Sequence, residues 1–523
     1  MVISGISLFS LHPTLAFSQK KYIAIEWQKS YGGTANETQP DLQYGVNGGL
    51  IMAGGTQSTD GDVTGYRGNG DMWIVNTDAN GNLNWEKCLG SSGSDIANRI
   101  LTLSGGYITI GAAGAGDGDV TTFRGGYGDA WLVKLSNTGS IVWQKTYGGS
   151  GNDMGYSVKT TIDGGYIFCG LTTSTDGDVA GNHGNTDAWV VKLYDTGGIE
   201  WQKCYGGSQT DEGLNILTTK DSGYILLAST QSADGDVTGY HDSTDIWVVK
   251  LSATGDIVWQ KCLGGTGTDV AFSIVQTYDG GYLVAGGTES KDGDVTFNHG
   301  KSDVWLVKLT SAGAVSWQKT YGGSSADGSF AARQTTDSGY VVAGSTISTD
   351  GDVSGLHIHA PQVSDYWLLK VNNTGKLIWQ KCLGGTGTDG AYGVYQASDS
   401  EYVVAGQSAS KDGDVTGVHG TLTYDYWAVK VVERDSTTSI QTLNENNCSV
   451  YPTIGIGIIH LDLPNSIENY VISVVSIYGK VIEHFATSNS HNIIDIGDYP
   501  EGMYMVKIMN SSGSYTTKII VAH

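Results

Sequence analysis

A pair of tryptophans recurs seven times along this chain at a nearly constant interval and accounts for all 14 tryptophans in it. One series runs Trp27, Trp85, Trp143, Trp201, Trp259, Trp317 and Trp379, mostly inside W-Q-K, in five steps of 58 residues and a last step of 62. The other runs Trp73, Trp131, Trp189, Trp247, Trp305, Trp367 and Trp427, each two residues after an Asp. A unit of this length holds several short strands but no core of its own, so neighbouring units must bury one another. The expectation is an all-β fold, a seven-bladed β-propeller with one blade per repeat over residues 19–433. The 77 glycines, about twice the usual share, fit many tight turns between those strands.

The third repeat shows the plan. Tyr156 to Thr161 alternates and reads as the innermost strand, and Asp163-Gly164-Gly165 turns the chain. Tyr166 to Thr173 is the second strand, Asp187 to Leu193 the third and Ile199 to Tyr205 the outermost, with a hairpin at Asp195-Thr196-Gly197. In the six continuous hairpins the two Trp stand 12 residues apart, which suggests a cross-strand pair on one face of the sheet. The seventh hairpin lacks its second Trp. Ring closure supplies it: the segment Ile23 to Tyr31 is expected to complete the sheet begun by Tyr426 to Val432, leaving no open edge.

Acids follow the same period. In a four-stranded meander the 2→3 and 4→1 loops share one face. The 2→3 loop carries D-G-D in every copy: Asp60/Asp62, Asp117/Asp119, Asp176/Asp178, Asp234/Asp236, Asp292/Asp294, Asp350/Asp352 and Asp412/Asp414. The third strand opens with Asp71, Asp129, Asp187, Asp245, Asp303, Asp365 and Asp425. The 4→1 loop adds Glu37, Asp95, Asp153, Asp211, Asp269, Asp327 and Asp389, so 28 of the 53 acids lie on one face. Two readings compete. The D-x-D pair and the strand-opening Asp could return to one Ca²⁺ site, a hard cation held by oxygen ligands. Alternatively these carboxylates accept hydrogen bonds from loop amides and pin glycine-rich turns. The opposite face reads Asn47, Ser104, Asp163, Asp221, Asp279, Asp337 and Asp399, an interchangeable set that a plain turn accepts.

Five residues after each D-G-D stand Arg67, Arg124, His183, His241, His299, His357 and His419. Arg does not ligate metal, so the shared property is donation to an acid. A catalytic centre would break the repeat, and the breaks are few: Asn76 in place of Lys, Glu37 in place of Asp, and insertions in the sixth and seventh 2→3 loops. The sixth insertion places His357, His359 and Gln362 as candidate ligand-binding residues, because rim loops carry specificity. No catalytic residue or cofactor ligand is identifiable, and no G-x-S-x-G, H-E-x-x-H or P-loop occurs.

The stretch Asn137-Thr138-Gly139-Ser140-Ile141-Val142-Trp143 resembles the tryptophan motif of quinoprotein propellers, which supports the blade and implies no redox activity, since no cofactor ligands match. From Arg434 to Asn447 the chain is a polar linker. Residues 448–523 carry Val450-Tyr451-Pro452, then V-I-S-V-V-S-I-Y-G-K from Val471 to Lys480, Ile494-Asp495-Ile496, and Tyr499 to Lys507. This ordered set resembles the type A sorting domain of type IX secretion cargo in Bacteroidota, with Y-P-T-I where that family has Y-P-N-P. The resemblance implies an Ig-like sandwich that engages the type IX machinery and an extracellular or outer-membrane-surface destination. An ordinary C-terminal β-sandwich is the alternative. The propeller also looks like the Gly- and Asp-rich repeats of such cargo.

Residues 1–18 are apolar, end in Ala16-Phe17-Ser18, and read as a signal peptide whose basic start is missing. No later run is long and apolar enough to span a membrane. Cys88, Cys204, Cys262 and Cys382 occupy one repeat position on different blades, so they read as small packed residues and not as a disulfide framework. A net charge of −24 argues against nucleic acid and anionic membranes as partners. The function expected is binding or adhesion by a monomer, toward an extracellular glycan or protein. A secreted carbohydrate-active hydrolase or lyase and a purely structural surface protein are the alternatives.

Overall fold

The computed structural model describes residues 21–357, 363–435 and, within 448–521, all but 452–453, 456–457, 464–468, 477–479, 498 and 511–512. Among the described residues every regular element is a strand. Lys21 to Asp435 supplies seven four-stranded sheets. In the third of them Asp153–Thr160, Tyr166–Thr172, Asp187–Leu193 and Ile199–Tyr205 pair antiparallel in chain order. The inner strand starts three residues before Tyr156. A β-bulge between Gly155 and Ser157 shifts the alternation there, so period-2 reading finds only the part beyond it.

The seventh sheet is made from both ends of this region. Lys21–Tyr31 lies beside Asp425–Asp435 as the outer strand, followed by Glu401–Ser408 and Asp389–Ser398. Trp427 Nε1 donates to Gln28 Oε1 at 2.8 Å, the same bond that Trp189 makes to Gln202 at 2.9 Å within the third sheet. The inner strands, which begin at Glu37, Ile96, Asp153, Asp211, Asp269, Asp327 and Asp389, touch one another in sequence, and the last touches the first. The sheets therefore close on themselves, with Ile23–Val432 as one compact unit.

The tryptophan pairs sit differently from the expectation. Trp73 lies opposite Cys88 and Trp85 opposite Asn76. The offset is three residues, an odd number, so the two rings point to opposite faces. Trp73 buries against Val403, Ala405 and Tyr426 of the seventh sheet. Trp85 faces the other way, its ring centroid 6.0 Å from that of Tyr107 in the second sheet. Trp143 and Trp201 meet Tyr166 and Tyr224 of the following sheets at the same 6.0 Å. Each gap between sheets thus receives one Trp from either side. The inner Trp are at most 1% exposed, and truncating one to Ala is expected to cost about 3–5 kcal/mol.

This packing explains the T-G-x-x-x-W stretch. Gly139 turns the chain at φ 78°, and a Cβ there would stand 2.8 Å from Cζ3 of Trp85 in the preceding sheet. Gly164 has a similar φ of 87° but open space around it. Gly139→Ala is expected to lower stability by about 2–3 kcal/mol, against ~1 for Gly164→Ala, which carries backbone strain alone. Thermal unfolding of the two variants checks this, and equal losses would refute the packing role.

All six cysteines are buried and free. From Glu433 onward the chain belongs to a second unit. It has a three-stranded sheet, ordered Ser449–Tyr451, Ile458–Asp462, His491–Asp495, and a five-stranded sheet that includes Tyr470–Ser476, Gly502–Asn510 and Gly513–Val521. Ile459, Leu461 and Ile494 of the first pack with Ile472, Val506 and Ile519 of the second in one core. Among the described residues no helix is long and apolar enough to cross a membrane.

Candidate functional site

The four acids of each repeat have separate roles. The first Asp of D-G-D is exposed and ties the 2→3 loop to the neighbouring 4→1 loop. Asp60 Oδ1 accepts from the Thr34 N–H at 2.7 Å and Oδ2 from the Thr34 hydroxyl at 2.8 Å. Asp117, Asp176, Asp234, Asp292, Asp350 and Asp412 accept from the equivalent amides at 2.7–2.8 Å. The second Asp donates its own N–H back: Asp62, Asp119, Asp178, Asp236, Asp294, Asp352 and Asp414 bond the carbonyl of the first Gly in that loop at 2.7–3.0 Å.

The other two acids are buried. Glu37, Asp95, Asp153, Asp211, Asp269, Asp327 and Asp389 are at most 2% exposed. Each accepts the N–H four residues before it, as Gly149 donates to Asp153 at 2.8 Å, and nearby hydroxyls, as Ser174 donates to Asp153 at 2.7 Å. The strand-opening Asp71, Asp129, Asp187, Asp245, Asp303, Asp365 and Asp425 are fully buried, and the Oδ1 of all seven has no hydrogen-bond partner among the described residues. Each meets the buried acid of the next sheet across a glycine. A Cβ on Gly264 would lie 2.6 Å from Asp245 Oδ1 and 2.7 Å from Asp269 Oδ2. Seven carboxyl pairs therefore straddle the seven gaps. Burial pushes Glu37 up to about 7, and Asp129 and Asp389 up to about 6. Burial likewise raises Asp95, Asp187, Asp245, Asp269, Asp327, Asp365 and Asp425. Such pairs hold a proton more readily than isolated carboxyls.

The donor position links these groups. His183, His241, His299, His357 and His419 place Nδ1 2.5–2.7 Å from Asp187, Asp245, Asp303, Asp365 and Asp425. The far side of the ring looks to the next sheet: Nε2 of His299, His357 and His419 lies 3.7–4.0 Å from Asp352, Asp414 and Asp62. Arg67 and Arg124 reach Asp119 and Asp178 directly. His357 therefore makes the bond common to the repeat. His359 and Gln362 lie outside the described residues. Both D-G-D carboxylates turn to the 4→1 loop, as Asp176 and Asp178 accept from the N–H groups of Ser150 and Gly148, while the strand-opening Asp187 is bonded from its own 2→3 loop by His183. Among the described residues no group of three or more His, Cys, Asp or Glu is disposed to hold a metal ion.

The turn acids of the opposite face are more than turn residues. Lys192, Lys250, Lys308 and Lys370 have side chains only 3–8% exposed and lie 2.7–3.0 Å from Asp163, Asp221, Asp279 and Asp337. The signal was in the sequence: Asn76 replaces this Lys in the repeat whose turn has Asn47 instead of Asp.

One place breaks the symmetry. Each inner strand carries a bulge near its start, one residue wide in six of them and spanning Gln39 and Pro40 in the first, and one residue from each bulge turns to the ring axis. They are Gln39, Asn98, Tyr156, Leu214, Phe272, Phe330 and Tyr392, and they line a cavity of about 280 Å³ with Asp41, Arg99 and Glu212. One side is aromatic: Phe330 stands 5.3 Å from Phe272 and 4.9 Å from Tyr392 between ring centroids. The other is polar. Arg99 Nη1 bonds Asp41 Oδ1 at 2.9 Å, Asn98 Nδ2 donates to the Gly155 carbonyl at 2.9 Å, and Arg99 Nε is buried with no partner among the described residues. Burial raises the Glu212 carboxyl. Three residues beyond the bulges in their strands stand Lys159 and Arg333. Burial, with the charges of Arg99 and Arg333 adding, brings the Lys159 ammonium down to about 7. Sequence reading sought asymmetry in the inserted loops and missed this collar. Its mark is the position three residues after the 4→1 acid, which reads Pro40, Asn98, Tyr156, Leu214, Phe272, Phe330 and Tyr392 in an otherwise uniform repeat, with Gln39 beside Pro40 reaching the cavity.

Residues 449–522 match the family described as secretion system C-terminal sorting domain. No curated protein matches the chain. Among solved structures it is similar to the WD40 domain of Neurospora crassa Pan2, at 9% identity and TM-score 0.43 over 79% of this chain and 96% of that one. BBS1N, solved in complex with ARL6DN, matches at 10% identity and TM-score 0.41 over 80% and 98%. The PQQ-bound aldose sugar dehydrogenase of Streptomyces coelicolor matches at 8% identity and TM-score 0.34 over 80% and 99%. These are likenesses of overall form and lend the chain no ligand or activity.

Proposed function

We propose that this chain, which carries a type IX sorting domain at residues 449–522 and is thereby directed to the cell surface or the extracellular space, is a binding module. In this reading residues 23–432 are a seven-bladed β-propeller that presents its axial cavity to an extracellular glycan or protein, and an Ig-like sandwich engages the type IX machinery. One observation carries it. Loops, acids and tryptophans repeat almost unchanged, while the seven bulge residues around the axis are of five kinds, Gln, Asn, Leu, Phe and Tyr, and combine an aromatic wall with a polar one. A purely structural ring has no use for that difference, and a convergent cavity with a few placed polar groups is where ligands bind. The net charge of −24 disfavours polyanionic partners.

The test uses the full-length protein, immobilised and challenged with arrayed glycans and with purified extracellular proteins. Saturable binding that Leu214→Trp removes without lowering the melting temperature is the expected result. Binding indifferent to that substitution, or none, would overturn the reading. The hydrolase or lyase alternative draws on a second observation: two carboxyls, Asp41 and Glu212, share the cavity, and burial raises Glu212 toward a proton-donating role. It requires release of reducing ends from a polysaccharide, abolished by Glu212→Gln.

A further inference from the structure

The geometry points to a single pyranose ring of a glycan as the occupant of the axial cavity, stacked on Phe272, Phe330 and Tyr392 and hydrogen-bonded by Asn98, Arg99 and Glu212. This rests on the binding reading above and names its ligand class. Three features select it. At about 280 Å³ the cavity lies just below the ~300–1,000 Å³ that accommodates drug-sized molecules, so one ring fits and a bulky ligand does not.

Its two walls also match the two sides of a sugar. One face of a pyranose carries only C–H groups and packs against aromatic rings. The three rings form a continuous run, with Phe330 in the middle, and Phe272 is still 38% exposed, so the wall is open to a ligand. The equatorial hydroxyls of a pyranose are donor-acceptor groups spaced for planar amide, carboxyl and guanidinium partners. Opposite the rings, Arg99 Nε is such a donor without a partner among the described residues.

Charge argues the same way. Arg99 and Asp41 already neutralise one another at 2.9 Å. That leaves Glu212 as the remaining carboxyl group of the lining, and burial favours its neutral, hydrogen-bonding form. A protein partner would need a docking area of roughly 1,200–2,000 Å² in total, which a narrow axial well formed by seven strands does not present by itself.

The experiment is saturation-transfer NMR on the full-length protein with methyl pyranosides of the gluco, galacto, manno, fuco and N-acetylglucosamine series. At least one is expected to show transfer to its ring protons. Phe330→Ala and Asn98→Leu should each weaken that ligand at least tenfold. If either variant melts early, Leu214→Trp, which fills the well from a different strand, provides the same comparison. Absence of transfer across the panel, or transfer unchanged in the variants, overturns the sugar assignment. The binding reading falls separately: a protein ligand lost in Leu214→Trp would keep it while the sugar assignment fails, and no cavity-dependent ligand of either kind would end both.

Discussion

A chain without Lys21–Tyr31 is expected to lose cooperative unfolding at ordinary temperature. That strand is the outer edge of the seventh sheet, and among the described residues nothing else pairs with Asp425–Asp435 on that side. Its removal deletes a full backbone ladder and the contacts of Ile23 and Ile25 with the neighbouring core. It also removes the Gln28 bond to Trp427 and the 2.9 Å ion pair of Glu26 with Lys430. Trp27, which covers the Gly81 turn of the first sheet, goes with it. Three apolar side chains at about 1.5–3 kcal/mol each when fully buried, together with the lost ladder, approach the whole net stability of a domain, about 5–15 kcal/mol. The exposed strand edge would also recruit other chains. Differential scanning calorimetry and light scattering of the truncated protein measure both effects. Adding the peptide Lys21–Tyr31 should restore part of the transition. A truncated chain that melts like the intact one would mean the ring does not depend on this closure.

Stability is expected to fall as pH rises from 5 to 8. The buried carboxyls set the sign. In the unfolded chain Asp and Glu lose their protons near pH 4. In the folded protein burial holds Asp129 and Asp389 near 6 and Glu37 near 7. Between these values the folded state binds more protons, so its stability is full below about pH 4 and is lost as pH climbs through the folded pKa values. Each unit is worth about 1.4 kcal/mol, and the sum over the pairs is on the order of several kcal/mol. A melting temperature higher by roughly 10 °C at pH 5 than at pH 8 is the expected size. Asp129→Asn isolates one contribution: one carboxyl oxygen accepts the Arg124 N–H at 2.7 Å and the other has no partner among the described residues, so an amide can take its place. That variant should gain stability at pH 8 and flatten the slope. Millimolar Ca²⁺ at pH 7 should leave the melting temperature unchanged. A rise from pH 5 to 8 would overturn the proton-sharing account, and a Ca²⁺-specific increase with several bound ions would place cations at the pairs.

Much of the architecture was legible because repetition reports on local geometry. The outer three strands of the third repeat coincide with their alternation to within a residue, since hairpin turns at Asp163-Gly164 and Thr196-Gly197 bound them. The inner strand does not, because a bulge at Tyr156 hides its first turn of pairing. The tryptophan spacing announced packing between repeats, yet which face each ring took depended on a three-residue register that hairpin length alone does not reveal.

The sequence by itself determined seven repeats, the strand-rich class, the acid-bearing face and the sorting motif, all properties written within one repeat or one contiguous stretch. Tertiary structure alone decided the rest. Asp245 and Asp269 are 24 residues apart and belong to different sheets. Only the packing of neighbouring sheets brings them across one glycine, where burial raises their pKa values. Asn98, Tyr156, Leu214, Phe272, Phe330 and Tyr392 are separated by whole repeats. They become one cavity because the bulge of each inner strand turns a residue toward a single axis, and convergence of that kind belongs to the ring and to no segment of it.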